Sequence, residues 1–104
     1  MDEVIKHIVM WTFREQYYGT QVDEIRKNIK SGLEGLQGKI PGFIEIKVVT
    51  EPLQSSNCDL MLIATFESEE ALRNYASHPL HAEVAKNCVD PFRAQRICMD
   101  YNID

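Results

Sequence analysis

Two segments of this chain carry large apolar side chains on both faces of an extended strand. Ile5 to Phe13 reads IKHIVMWTF, with Ile5, His7, Val9, Trp11 and Phe13 on one face and Lys6, Ile8, Met10 and Thr12 on the other. Leu60 to Phe66 reads LMLIATF and is apolar on both faces again. Such strands belong in the middle of a sheet that is covered on both sides. One cover can come from the chain's own helices. The other face would leave Ile8, Met10 and alternate residues of Leu60 to Phe66 in water, a larger patch than soluble monomers usually tolerate. A second copy of the sheet is the simplest cover, so a homodimer through the sheet face is expected.

The remaining segments supply those helices and two more strands. After a polar loop from Arg14 to Gly19, Thr20 is in place to cap a helix, with Asp23 three residues on. Val22, Ile25, Ile29, Leu33 and Leu36 recur at helical spacing, while Asp23, Glu24, Lys27, Lys30 and Glu34 form a mostly solvated face. Gly38 suits the helix end, and Pro41-Gly42 marks a turn. Phe43 to Thr50 reads as a strand, followed by a polar loop from Glu51 to Asp59. Ser68 caps a second helix running to about Ser77, with Glu69 and Glu70 in its first turn. His78-Pro79 breaks it, Pro79 opens a short third helix reaching about Val89, and Phe92 to Tyr101 is the last strand. The order β-α-β-β-α-α-β predicts an α+β, ferredoxin-like fold: an antiparallel sheet with helices on one face.

With 104 residues there is room for one domain. The net charge of −5 argues against nucleic acid and against an anionic membrane surface as partners. Cys58, Cys88 and Cys98 are odd in number and lack metal-type spacing, which fits reduced thiols in the cytoplasm. The acidic start, Met1-Asp2-Glu3-Val4, does not read as a signal peptide, and no run approaches the length of a membrane span.

Three features bear on chemistry. His7 lies mid-strand on the face with Val9 and Trp11. Tyr75 shares the inward side of its helix with Ala71 and Leu72. His78-Pro79-Leu80-His81 joins two helices. Each has an ordinary structural explanation: a core histidine, a phenol anchoring its helix, a proline junction. His81, however, falls in the first turn of the short helix, where the partial positive charge disfavours imidazolium. A neutral imidazole can accept a proton, as a general base must. His78 and His81 across the proline are a weak metal signal, lacking a nearby carboxylate or a third ligand in sequence, so neither a metal nor a cofactor is expected.

The KHIVMWTF opening, the run F-E-S-E-E-A-L-x-x-Y-x-x-H-P-x-H from Phe66 to His81, and the closing Met99-Asp100-Tyr101 resemble the Dabb family of stress-responsive α/β-barrel domains. The resemblance spans nearly the whole chain. It implies a dimeric α/β barrel of ferredoxin-like protomers with a pocket between sheet and helices. The family holds both plant stress-linked proteins and a cofactor-free cyclase that closes a polyketide by aldol condensation. In that enzyme a histidine matching His81 is the base, a tyrosine matching Tyr75 stands beside it, and a histidine matching His7 lines the pocket.

The expectation is therefore a pocket for a small apolar or aromatic carbonyl compound. His81, Tyr75 and His7 would be its catalytic residues, and Trp11, Val9, Leu72 and His78 would line it, without cofactor or metal. Two alternatives stand beside it: a non-catalytic dimeric ligand-binding or stress-associated module, and a cofactor-free monooxygenase with Trp11 and His7 near its substrate.

Overall fold

The computed structural model describes residues 4–19 and 21–103. Four strands, β1 (Ile5–Phe13), β2 (Phe43–Val49), β3 (Leu60–Phe66) and β4 (Arg93–Asn102), form one sheet in the order β2-β3-β1-β4. All three pairings are antiparallel. Among the described residues the remaining elements are three helices, α1 (Val22–Glu34), α2 (Glu69–Ser77) and α3 (Pro79–Val84), a 3-10 turn at Glu15–Tyr17 and a π-helical turn at Ala85–Val89. This is the ferredoxin-like, α+β arrangement predicted from the element order. No described helix is long and apolar enough to cross a membrane.

The two doubly apolar strands are the central pair, β3 and β1. Register determines which side chains share a face. Ile5, His7, Val9 and Trp11 stand opposite Phe66, Ala64, Leu62 and Leu60. All eight are buried, and together with Ile25, Ile29 and Leu33 of α1 and Tyr75 of α2 they make the core. Each large side chain so buried contributes about 1.5–3 kcal/mol relative to exposure. On the opposite face, Met10 pairs with Met61 and Ile97, and Ile8 with Ile63 and Met99. Met10, Ile97 and Met99 are exposed there, at 36%, 67% and 66% of their surface. The sheet is thus apolar on both sides, and only one side is covered by the chain's own helices.

Two local details differ from expectation. The first helix ends at Glu34, not beyond Leu36, and its C-cap is Gly35. Leu36 is still buried because the chain turns back over the core, and Gly38 (φ +85°) sits in the turns that follow. Lys30 and Glu34 are only partly exposed and bond the backbone of β2. Lys30 donates to the Val48 carbonyl at 2.8 Å, and Glu34 accepts from the Val48 N–H at 2.8 Å. Gln37 accepts from the Ile46 N–H at 3.1 Å. These side chains satisfy the free edge of β2, which would otherwise invite pairing with another strand. The proposed cap at Thr20 lies outside the described residues. Val22 follows Gln21, which makes no side-chain cap bond.

The second helix begins as expected: the Ser68 hydroxyl accepts from the Ala71 N–H at 3.1 Å. Gly42, just before β2, has φ +79°, and a β-carbon there would meet that of Ala71 at 2.5 Å. Only glycine lets the loop into β2 approach α2 so closely.

Candidate functional site

The helix-covered face of β1 is where the chemistry-bearing residues meet. Tyr75 is carried inward by α2 and is 2% exposed. Its ring is wedged against Phe66 at 4.9 Å and Phe43 at 5.0 Å between centroids, and those two rings are themselves stacked at 4.9 Å. An aromatic cluster of this kind leaves Tyr75 little freedom. Burial pushes its phenol well above the ordinary range, against a weaker downward pull from Arg96. The phenol is therefore protonated at neutral pH. Among the described residues its hydroxyl takes no hydrogen-bond partner.

His81 comes from the next helix. His78 makes that placement possible without joining it. Its backbone is extended, as the residue before a proline must be, and its Nδ1 accepts from the Leu80 N–H at 3.1 Å, capping α3. Pro79 then starts α3, and His81 two residues on turns back onto Tyr75. The rings of Tyr75 and His81 are 4.3 Å apart at 48°. Burial lowers the pKa of His81 from 6.5, opposed by the Ala76 backbone and reinforced by His7 and Arg96. Neutral imidazole was expected from the helix end; the leading cause in the structure is desolvation. His81 Nδ1 is buried with no partner among the described residues, as is Trp11 Nε1.

His7 completes the group from β1. Its ring stands edge-on to Tyr75 at 6.3 Å and to Phe66 at 6.1 Å. It faces Asp100 across the β1–β4 pairing, and His7 Nδ1 is in hydrogen-bond contact with the Asp100 carboxylate. Donation from Nδ1–H to that carboxylate fixes the tautomer and leaves Nε2 as the acceptor. The histidine backed by a carboxylate is therefore His7 and not His81.

His7, Val9, Trp11, Tyr75 and His81 line one cavity of about 320 Å³ together with Leu33, Leu62, Ala85, Val89, Asp90, Arg93 and Arg96. This lies at the small end of ligand-sized pockets. Two residues expected to line it are elsewhere. Leu72 faces a neighbouring hollow with Ile5, Arg73 and Asp100, towards the start of α2. His78 is held at its capping position.

Several residues that line the cavity or contact its walls were not foreseen. Arg96 and Asp100 alternate along β4 opposite Trp11 and His7, so strand periodicity could have found them once the register was known. Ala85 and Val89 are brought in by the π-helical turn, closed by the Asp90 N–H donating to the Ala85 carbonyl at 2.8 Å. Such turns are rare and leave no clear mark in a sequence. Cys98, whose thiol is held above its usual range by burial and by Asp100, also lies on β4 within reach of His7. None of the three cysteines is in a disulfide.

Comparison with known proteins supports the architecture. A dimeric protein of unknown function with a ferredoxin-like fold from Bacteroides fragilis superposes with a TM-score of 0.89 at 24% identity, covering 96% of each chain. The hydroxynitrile lyase of Passiflora edulis superposes with a TM-score of 0.72 at 23% identity, over 98% of this chain and 94% of that one. A cofactor-independent oxygenase from Streptomyces nogalater does so with a TM-score of 0.74 at 12% identity, over 98% and 94%. At these identities the likeness is one of fold. No curated protein matches in sequence. The profile of the stress responsive A/B barrel domain, Dabb, matches residues 5–103, and the chain belongs to that family.

Proposed function

We propose that this Dabb domain works as a homodimer closed through the exposed sheet face, and that its helix-covered cavity binds a small apolar or aromatic carbonyl compound and performs cofactor-free acid–base chemistry of the aldol or cyclase type on it. The observation that carries the reading is the ring contact of Tyr75 and His81 within a cavity of about 320 Å³. Neutral His81 takes a proton from the carbon beside the carbonyl. The Tyr75 hydroxyl, free of other partners, donates a hydrogen bond to the carbonyl oxygen and stabilises the enolate as charge develops. The enolate carbon bonds to a second carbonyl carbon of the same ligand, and the alkoxide so formed takes the proton back from His81. His7, oriented by Asp100, supports the Tyr75 side of the pocket. One well-placed base is worth about 10²–10⁴-fold in rate.

Support for dimerisation comes from the exposed row of Met10, Ile97 and Met99 and from the dimeric Bacteroides fragilis neighbour. Support for catalysis on this fold comes from the two enzymes among the neighbours, one a hydroxynitrile lyase and one a cofactor-independent oxygenase. A second reading, a ligand-binding module without catalysis, is favoured by one observation: among the described residues no carboxylate is in hydrogen-bond contact with His81, unlike His7.

Trp11 is the one tryptophan of the chain and lines the cavity, so its fluorescence reports occupancy directly. Titration with aromatic 1,3-dicarbonyl compounds should give saturable changes in its emission. Absence of any saturable change across such a series would contradict a carbonyl-binding cavity.

A further inference from the structure

A second constellation lies on the β4 side of His7. His7 stands opposite Asp100 in the β1–β4 register, and Cys98 stands opposite Val9. Cys98 and Asp100 are two residues apart on one strand, so their side chains leave the same face, the one on which His7 leaves β1. Donor atoms of the three all lie within 4.8 Å of one another. Cys98 Sγ is 3.7 Å from His7 Nδ1 and 3.6 Å from the nearer Asp100 carboxylate oxygen.

These separations can be compared with the edges of a metal coordination shell. A tetrahedral zinc ion with nitrogen, oxygen and sulfur ligands at about 2.0–2.3 Å has ligand–ligand edges of roughly 3.3–3.6 Å. Both edges to sulfur are already close to that. The third edge, between His7 and Asp100, is closed by a hydrogen bond and opens when a cation replaces the shared proton. His7 is buried and held edge-on by Phe66 and Tyr75, which provides one fixed ligand. Cys98 and Asp100 are exposed, which provides an entry path and room for a fourth, non-protein ligand.

We propose that His7, Cys98 and Asp100 form a three-point binding site for a borderline-soft divalent cation, with zinc the best fit. The mixed sulfur, nitrogen and carboxylate donor set selects zinc over magnesium or calcium, which take all-oxygen shells. Binding at His7 Nδ1 shifts the imidazole proton to Nε2 and displaces the thiol proton from Cys98, so one proton is released as the metal enters. The site takes His7 from its Asp100 partner and so couples metal occupancy to the wall of the Tyr75–His81 cavity. It does not rest on the acid–base reading of that cavity and stands or falls separately.

The test uses the full chain, kept reduced, with cobalt(II) and zinc(II) as probes. One cobalt per chain should bind with a thiolate-to-cobalt charge-transfer band in the near ultraviolet. Cys98→Ala, at an exposed position, should abolish that band and weaken zinc binding by about tenfold or more. Asp100→Asn should weaken zinc binding in the same way. A Cys58→Ala/Cys88→Ala double variant should bind zinc and cobalt as the parent does. Failure of the parent to bind zinc at micromolar concentration would overturn the proposal. So would a Cys98→Ala variant, folded by circular dichroism, that binds zinc as tightly as the parent.

Discussion

The ring of Tyr75 lies 4.3 Å from that of His81 although the two belong to different helices. The contact depends on the break at His78-Pro79, where an extended residue and a proline turn the chain so that α3 folds back over the end of α2. A phenol with a raised pKa and an imidazole with a lowered one are thus held side by side, the phenol protonated and the imidazole neutral at pH 7. That pairing of a donor and an acceptor is what enolate chemistry requires.

Tyr75→Phe removes the hydroxyl while keeping the ring among Phe43, Phe66 and His81. Because the hydroxyl bonds nothing among the described residues, the variant should fold with near-parental stability. Any turnover should fall by about 10²-fold or more, the usual cost of losing one donor to a developing oxyanion. Chemical denaturation and steady-state rates on the same preparations check both halves.

The lowered pKa of His81 also sets a pH dependence. Its folded value lies below the unfolded value near 6.5, so below that pH the unfolded chain binds a proton that the folded chain refuses. The stability associated with neutral His81 is complete above about pH 6.5 and is lost as pH falls toward the folded pKa. Urea unfolding at pH 7.5 and 5.5 should show a smaller loss for His81→Gln than for the parent. Equal losses would mean that His81 titrates alike in both states.

Met10 sits in the centre of the exposed apolar row, with Met61 and Ile97 as its cross-strand partners. Met10→Lys places an ammonium group where a second sheet would have to desolvate it without a partner. Sedimentation at micromolar concentration should show a dimer for the parent and a folded monomer for the variant. A monomeric parent would contradict closure through this face.

Gly42→Ala tests the approach of the β2 loop to α2. The positive φ costs an L-residue about 1–2 kcal/mol. The added carbon, 2.5 Å from that of Ala71, costs about a further 1–3 kcal/mol in overpacking. Urea unfolding should show a loss of roughly 2–5 kcal/mol from these two effects together.

Much of the fold was legible because period-two and period-3.6 patterns are local. IKHIVMWTF and LMLIATF declared themselves central strands by being apolar on both faces, and the Phe43, Leu60 and Glu69 boundaries fell where alternation and capping placed them. What the pattern missed depends on contacts between distant segments. Lys30 and Glu34 read as solvated from helical spacing alone, yet they bond Val48 because β2 is an edge strand. Arg96 and Asp100 enter the site region only through the β1–β4 register. Leu72 was assigned to the cavity by adjacency to Tyr75, whereas it faces another hollow towards the start of α2. The convergence of His7, Tyr75 and His81 was foreseen from the family resemblance more than from spacing.

Removal by His81 of a proton from carbon next to a carbonyl bound in the cavity is the step on which the proposed chemistry depends. It is tested most directly by deuterium exchange, followed by proton NMR in D₂O, at the α-carbon of the carbonyl compound that binds best by Trp11 fluorescence. Exchange should be catalysed by the parent and slowed about 10²–10⁴-fold in His81→Ala. A bound compound whose exchange the parent does not accelerate, or whose exchange His81→Ala accelerates equally, would contradict it.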